Sequence, residues 1–139
     1  MKRNEPIKSI MTTDVTTVNI SQKPSEVRRL MADQAIHHVP VVSGKKLVGL
    51  LSAADMMRLS FSAYGVDERA VDAALDHEFT IEGVMNKNIV SLPEKATVRD
   101  AAERLRDGAF HSLPIVDNDG NLVGIVTSTD LIKYLFDQY

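Results

Sequence analysis

Two stretches of this 139-residue chain carry one pattern. The first reads His37-His38-Val39-Pro40-Val41-Val42 and resumes as Leu47-Val48-Gly49-Leu50-Leu51-Ser52-Ala53-Ala54-Asp55. The second reads His111-Ser112-Leu113-Pro114-Ile115-Val116 and resumes as Leu122-Val123-Gly124-Ile125-Val126-Thr127-Ser128-Thr129-Asp130. An internal duplication defines the folding unit before any local motif is interpreted. The two prolines stand 74 positions apart, and the same offset carries Ile7 to Ile81, Met11 to Met85, Asp33 to Asp107, Ala35 to Ala109 and His37 to His111. Beyond the proline strand the offset becomes 75, carrying Leu47 to Leu122, Gly49 to Gly124 and Asp55 to Asp130. The change falls between Ser43-Gly44-Lys45-Lys46 and the longer Asp117-Asn118-Asp119-Gly120-Asn121, in turn residues where a hairpin tolerates an added residue.

Each copy reads as strand, helix, strand, hairpin, strand, helix. Val15 to Val18 and Ile89 to Leu92 are short β-rich runs, while Pro24 to Gln34 and Thr97 to Gly108 place Val27, Leu30, Met31 and Val98, Ala101, Ala102, Leu105 at helical spacing. Val39 to Val42 with Leu47 to Leu51, and Leu113 to Val116 with Leu122 to Val126, are unbroken apolar runs, suited to strands covered on both faces. Closing helices are expected from Ser52 and from Thr127, the second reaching about Phe136. The expected fold class is α+β (mixed α/β), with repeat 1 over 1–60, a helical linker over 61–80 and repeat 2 over 81–139. Within Met57 to Thr80, the residues Phe61, Tyr64, Val66, Ala70, Val71, Ala74 and Leu75 recur at helical spacing among Asp67, Glu68, Asp72, Asp76 and Glu78. That pattern predicts an amphipathic acidic helix that covers an edge of the core or meets a partner.

Composition narrows the function. The chain has 44% hydrophobic residues, no cysteine and a formal charge of −3. Disulfides, thiolate nucleophiles and zinc–thiolate sites are thereby excluded. The acidic balance gives no general attraction to nucleic acid, since Lys2, Arg3 and Lys8 form the sole local basic patch. No apolar run reaches the length that spans a bilayer, and the polar start lacks the apolar region of a signal peptide. We therefore expect a soluble, unprocessed, cytoplasmic protein with neither membrane nor nucleic acid as partner.

The chemistry concentrates where the last strand of each copy becomes a helix, in Gly49-Leu50-Leu51-Ser52-Ala53-Ala54-Asp55 and Gly124-Ile125-Val126-Thr127-Ser128-Thr129-Asp130. Unpaired N–H groups and the positive dipole end at such a junction favour an anion, and an aspartate in the first turn can accept from a ribose diol. Gly49 and Gly124 would permit close approach of backbone or ligand. The same residues also fit a capping box, with aspartate replacing the usual glutamate. Cap and ligand site both remain open from the residues alone.

At this level the chain resembles a tandem pair of CBS domains, the cystathionine β-synthase type, forming a stand-alone Bateman module. The resemblance rests on the Ile-x-x-Ile-Met and Ile-x-x-Val-Met openers at Ile7 to Met11 and Ile81 to Met85, the proline strand, and the Gly-x-x-Ser/Thr-x-x-Asp close. It implies two β-α-β-β-α repeats packed about a pseudo-twofold axis, with clefts that take AMP, ADP, ATP, S-adenosylmethionine or NAD as regulatory ligand and no required cofactor. Carried over residue by residue, the implied nucleotide-binding set is Thr17, Val39, Pro40, Ser52 and Asp55 in the first copy. In the second it is Ser91, His111, Leu113, Pro114, Thr127 and Asp130. The aspartates would hold ribose hydroxyls, Ser52 and Thr127 ribose or phosphate, Thr17 and Ser91 base or sugar, and the Val39-Pro40 and Leu113-Pro114 pairs the base. Arg58, His37 and His111 are the candidates for phosphate, and the second copy matches the pattern better.

Other readings are weaker on the residues themselves. His37, His38, His77 and His111 match no zinc spacing, and no nucleophile with a base is assembled, so neither metal binding nor catalysis is expected. Asp119 belongs to the hairpin turn. The resemblance further implies a homodimer through Leu131, Ile132, Leu135 and Phe136, and regulation of an unidentified enzyme or transporter. The alternative is a structural dimerisation or protein-interaction module with no ligand.

Overall fold

The unbroken apolar runs around each turn become antiparallel hairpins, and each hairpin gains one short parallel strand. The structure, a computed structural model, describes residues 4–61 and 68–139. Contributions expected of Lys2, Arg3, Tyr64, Val66 and Asp67 lie outside those residues.

The chain divides into two compact units, Thr16–Ile89 and Met1–Val15 with Val90–Tyr139. In the first, β1 (Val18–Asn19) pairs parallel with β2 (His38–Ser43), which pairs antiparallel with β3 (Lys46–Ser52). Around this sheet stand α1 (Pro24–Gln34), α2 (Ala53–Phe61), α3 (Glu68–Glu78) and the short α4 (Ile81–Val84). The other unit repeats the arrangement with β4 (Leu92–Pro93), β5 (Ser112–Val116) and β6 (Leu122–Thr127), with α5 (Val98–Leu105) and α6 (Ser128–Asp137). The mixed α/β class read from the sequence holds. The first strands are shorter and later than their β-rich runs suggest, starting at Val18 and Leu92.

Val39, Pro40, Val41 and Val42 are all buried, so both faces of β2 are covered as the run predicted. One core gathers Val18, Val27, Met31, Val39, Val41, Leu51, Met56, Ile81 and Met85. The other gathers Ile7, Leu92, Ala96, Ala101, Leu105, Leu113, Ile115 and Val126. The helical stripe of α5 holds at Val98, Ala101 and Leu105, but Ala102 is exposed, one step off that face.

Ile7 and Met11, from the opener of the first copy, are thus built into the unit of the second copy. Ile81 and Met85 are built into the unit of the first. The glycines explain how. A Cβ on Gly49 would stand 2.4 Å from the Met85 sulfur, and one on Gly124 would stand 2.8 Å from the Met11 sulfur and 3.0 Å from the Thr12 carbonyl. Absent side chains let each opener lie against a third strand, and the following residues hydrogen-bond to it. Thr12 N–H donates to the Ile125 carbonyl at 2.8 Å, and the Thr12 carbonyl accepts from Ile125 N–H at 2.9 Å; Asn86 and Leu50 exchange the same pair at 2.8 and 3.0 Å. The unit boundaries therefore differ from the repeat boundaries read along the sequence.

The expected acidic helix is present as α3, and its described residues cover α1. Leu75 is buried, and Asp72, only 7% exposed, receives the Arg28 guanidinium at 2.7 Å and that of Arg29 at 3.0 Å. Asp76 accepts from the Ser25 backbone N–H at 2.9 Å and from the Ser25 hydroxyl at 2.7 Å. This contact replaces a missing local cap. Thr97 and Asp100 form a capping box at α5, whereas the equivalent α1 position is Lys23, which supplies no side-chain cap.

Desolvation raises the Asp72 pKa, but hydrogen bonds and charge from Arg28 and Arg29 outweigh it, leaving it below the usual 3.8. A carboxylate with a depressed folded-state pKa stabilises above its unfolded value and loses that contribution as pH falls through the folded one. The stability difference between the wild type and Asp72→Asn should therefore be constant near neutrality and shrink as pH falls below about 4; urea titrations across pH 2.5–7 measure it. Gly49→Ala and Gly124→Ala should each destabilise by about 1–3 kcal/mol through overpacking. A Met85→Ala background should relieve part of the Gly49→Ala cost, because the two nearest atoms, the Met85 sulfur and Cγ, are removed while its Cβ stays 3.1 Å away. Met11→Ala should relieve less at Gly124, where the Thr12 carbonyl also intrudes, and a double-mutant cycle on urea midpoints separates the two cases.

Candidate functional site

Strand pairing draws the sequence-predicted residues of each copy to one end of its own sheet. Ser52 closes β3 opposite His38, with Val39 facing Leu51 and Pro40 facing Leu50. Thr17, half-buried, stands immediately before the Val18–Val41 pair of β1 and β2. In the other unit Thr127 faces Ser112, Leu113 faces Val126 and Pro114 faces Ile125, while half-buried Ser91 precedes the Leu92–Ile115 pair. Val39, Pro40, Leu113 and Pro114 are buried, and His37 and His111 are exposed. Each unit therefore presents a hydroxyl residue, an aspartate and a proline wall at the same edge.

The capping box expected from the spacing is formed in both copies. Thr127 N–H donates to Asp130 Oδ2 at 2.8 Å, and Asp130 N–H donates to Thr127 Oγ1 at 3.2 Å. Ser52 N–H donates to Asp55 Oδ2 at 3.2 Å, and Asp55 N–H to Ser52 Oγ at 3.0 Å. A further contact had no signal in the single sequence: Ala53 N–H donates to the His37 carbonyl at 2.7 Å, and Ser128 N–H to the His111 carbonyl at 2.9 Å. It is the backbone of these histidines that helps to start α2 and α6. A strand–helix junction is expected to offer unpaired N–H groups to an anion. Most of them are engaged, and only Ala54 and Thr129 in each first turn are left unused by these contacts. A phosphate at this edge would need a side-chain cation.

The aspartates differ in their second oxygen. Asp55 Oδ1 is paired with the Arg58 guanidinium, one turn along α2. Asp130 Oδ1 has no partner among the described residues, and Lys133, the counterpart of Arg58, is not bonded to it. Asp130, Lys133 and Tyr134 border an open hollow of about 290 Å³ whose opposite wall includes Glu5 and Ser9. Asp119 does sit in the hairpin turn, but Asp117 organises it. Its carboxylate accepts from the Asp119 and Asn121 backbone N–H groups, both at 2.9 Å, and those bonds, the Asn121 one foremost, hold its pKa below the usual 3.8. Among the described residues, no group of three or more His, Asp or Glu is placed to hold a metal. No helix of the described residues is long and apolar enough to cross a membrane.

The CBS domain family model matches residues 7–62 and 81–137. The chain belongs to the CBS domain family. The CBS pair is similar to the inosine-5'-monophosphate dehydrogenase of Thermoplasma acidophilum, 32% identical over 133 residues, which cover 95% of this chain and 24% of that protein. Among solved structures, it superposes on CBSX2 of Arabidopsis thaliana in complex with AMP, with a TM-score of 0.79, 22% identity and coverage of 96% of this chain and 97% of that one. It also superposes on the CBS domain pair of protein MJ0100 in complex with 5'-methylthioadenosine and S-adenosyl-L-methionine. There the TM-score is 0.72 and the identity 26%, with coverage of 94% and 98%. The chain spans between about a quarter and about half the length of the first curated relatives it matches. Tandem CBS repeats, expected from the duplicated motifs, are thus established.

Removing the cap hydroxyl with Thr127→Ala should cost about 1 kcal/mol, and Thr127→Ser much less, because serine keeps the acceptor for Asp130 N–H. Thermal unfolding of the two variants is the check.

Proposed function

We propose that this CBS pair is a regulatory ligand-sensing module that binds adenosine-containing nucleotides and signals by conformational or oligomeric change. AMP, ADP and ATP are the first candidates, with S-adenosylmethionine and NAD in the same chemical class. The observation that carries this reading is Asp130. One carboxylate oxygen is fixed by the cap, while the other lacks a partner among the described residues beside an open hollow. A carboxylate so placed is suited to accept from vicinal hydroxyls, as in dinucleotide sites. Thr127, Ser91, Leu113, Pro114 and His111 would complete one site, and Thr17, Val39, Pro40, Ser52 and Asp55 the other. The AMP and S-adenosylmethionine named with the structural neighbours support the ligand class.

On this reading the role is regulatory rather than catalytic, the ligand is not a cofactor, and the target is an enzyme or transporter in the cytoplasm. The reading with no ligand has one observation in its favour. Ile132 and Phe136 on α6 are 66% and 79% exposed, with Leu135 beside them, an apolar surface that fits a homodimer contact. Leu131, by contrast, packs on the core.

Thermal shifts with millimolar AMP, ATP, S-adenosylmethionine and NAD separate the two. A ligand at a hundred times its Kd should add about 2.7 kcal/mol, and no shift with any of them favours the purely structural module. Asp130→Ala would remove cap and anchor together, so Asp130→Asn, which keeps an oxygen for Thr127 N–H, is the better variant. It should weaken binding at least tenfold with little change in the apo melting temperature. Unchanged affinity in both Asp130→Asn and Asp55→Asn overturns the proposal.

A further inference from the structure

The two candidate sites differ in one ion pair, and that difference sorts ligands. We propose that Arg58 makes the Asp55 site selective for adenosine ligands that carry phosphate, whereas the Asp130 site lacks this filter; the inference rests on the reading of both aspartates as ribose anchors.

Both oxygens of Asp55 are occupied, Oδ2 by Ser52 N–H and Oδ1 by the Arg58 guanidinium. A ribose diol that claims Oδ1 competes with that guanidinium for the oxygen. The Arg58 side chain is 75% exposed while that of Asp55 is 23% exposed, so the pair lies at the surface, where an ion pair is cheaply broken. A ligand without an anion leaves the displaced guanidinium with water alone. A ligand with phosphate gives it a new partner, and the planar fork of arginine binds phosphate oxygens bidentately and more strongly than a neutral donor does. The helix start cannot substitute for it, because most N–H groups of the first turn are already engaged by His37, Ser52 and Asp55. In the second copy the equivalent cation is Lys133, which leaves Asp130 Oδ1 without a competitor among the described residues. The Asp130 site therefore has nothing to displace and admits a neutral nucleoside without that cost, while Lys133 on the wall of its hollow can meet a phosphate without giving up a carboxylate. Arg58 acts as a competitor toward neutral nucleosides and as a ligand toward phosphorylated ones.

The test uses the full chain carrying Asp130→Asn, so that the Asp55 site is observed alone, with adenosine and AMP as probes in isothermal titration calorimetry. Adding Arg58→Gln should tighten adenosine two- to fivefold by removing the competitor, and weaken AMP about tenfold by removing the phosphate partner. Arg58→Lys should restore part of the AMP preference, since it returns charge without the fork. The AMP-to-adenosine preference is the quantity that decides: if Arg58→Gln leaves it unchanged, the selectivity assignment is overturned. If Asp55→Asn in the same background leaves AMP affinity unchanged, the anchor reading itself fails, so the two failures are distinguishable. Arg58 is an exposed surface residue, and an unchanged circular-dichroism melting curve confirms that its variants retain the fold.

Discussion

A Cβ added to Gly49 or Gly124 would fall within 3 Å of a methionine sulfur, and those two close approaches determine how the duplicated chain is assembled. Met85 lies on Gly49 and Met11 on Gly124, so each compact unit is completed by the opener of the other repeat. The bridges between Thr12 and Ile125 and between Asn86 and Leu50 then supply hydrogen bonds to outer strands that would otherwise leave backbone groups unpaired. Ile7 and Ile81 reach the buried cores by the same exchange. A glycine at the start of the closing motif is thus required by packing, independently of any ligand.

Duplication leaves the two units free to diverge wherever a second interaction can replace the first. The second copy caps its first helix locally with Thr97 and Asp100, while the first copy has Lys23 there and borrows Asp76 from α3. An N-terminal cap is typically worth about 1 kcal/mol, enough to tie the fit of α3 to the start of α1. Asp72 reinforces the link, because a buried carboxylate between two guanidinium groups is costly to leave with only one partner removed. The linker helix is consequently part of the first unit's structure, which its acidic composition alone would not reveal.

What the sequence made legible followed from periodicity and repetition. Two copies agreeing at Pro40 and Pro114, and at Asp55 and Asp130, were sufficient for both hairpins and the CBS family. The bounds of α1 follow from Pro24 and the helical spacing of Val27 and Met31. The exchange of openers was not legible, because a repeat offset states which residues correspond and not which copy they join. Met11 and Met85 carried the signal as correspondents of one another, but choosing their glycine partners requires three dimensions. For the candidate site, spacing predicted the capping boxes but not the His37 and His111 carbonyl contacts, nor that Arg58 would pair with Asp55 while Lys133 leaves Asp130 alone. These depend on backbone position and side-chain reach, which a sequence pattern does not encode.

The capping role and the proposed anchoring role of the aspartates are compatible because a carboxylate has two oxygens and the cap uses one. Asp130 Oδ2 is held by Thr127 N–H at 2.8 Å, which fixes the side-chain rotamer before any ligand arrives. Ordering a side chain on binding costs roughly 0.5–1.5 kcal/mol, and here that cost is met during folding. Aspartate suits both tasks: its short side chain keeps the second oxygen at the strand–helix junction, whereas a glutamate in the same capping box would carry it a methylene further along a more flexible arm. A motif that is sufficiently explained by helix capping can therefore also be a preorganised ribose acceptor. The two roles are separated by the substitution that preserves Oδ2 geometry while removing the negative charge, which is why asparagine rather than alanine discriminates between them.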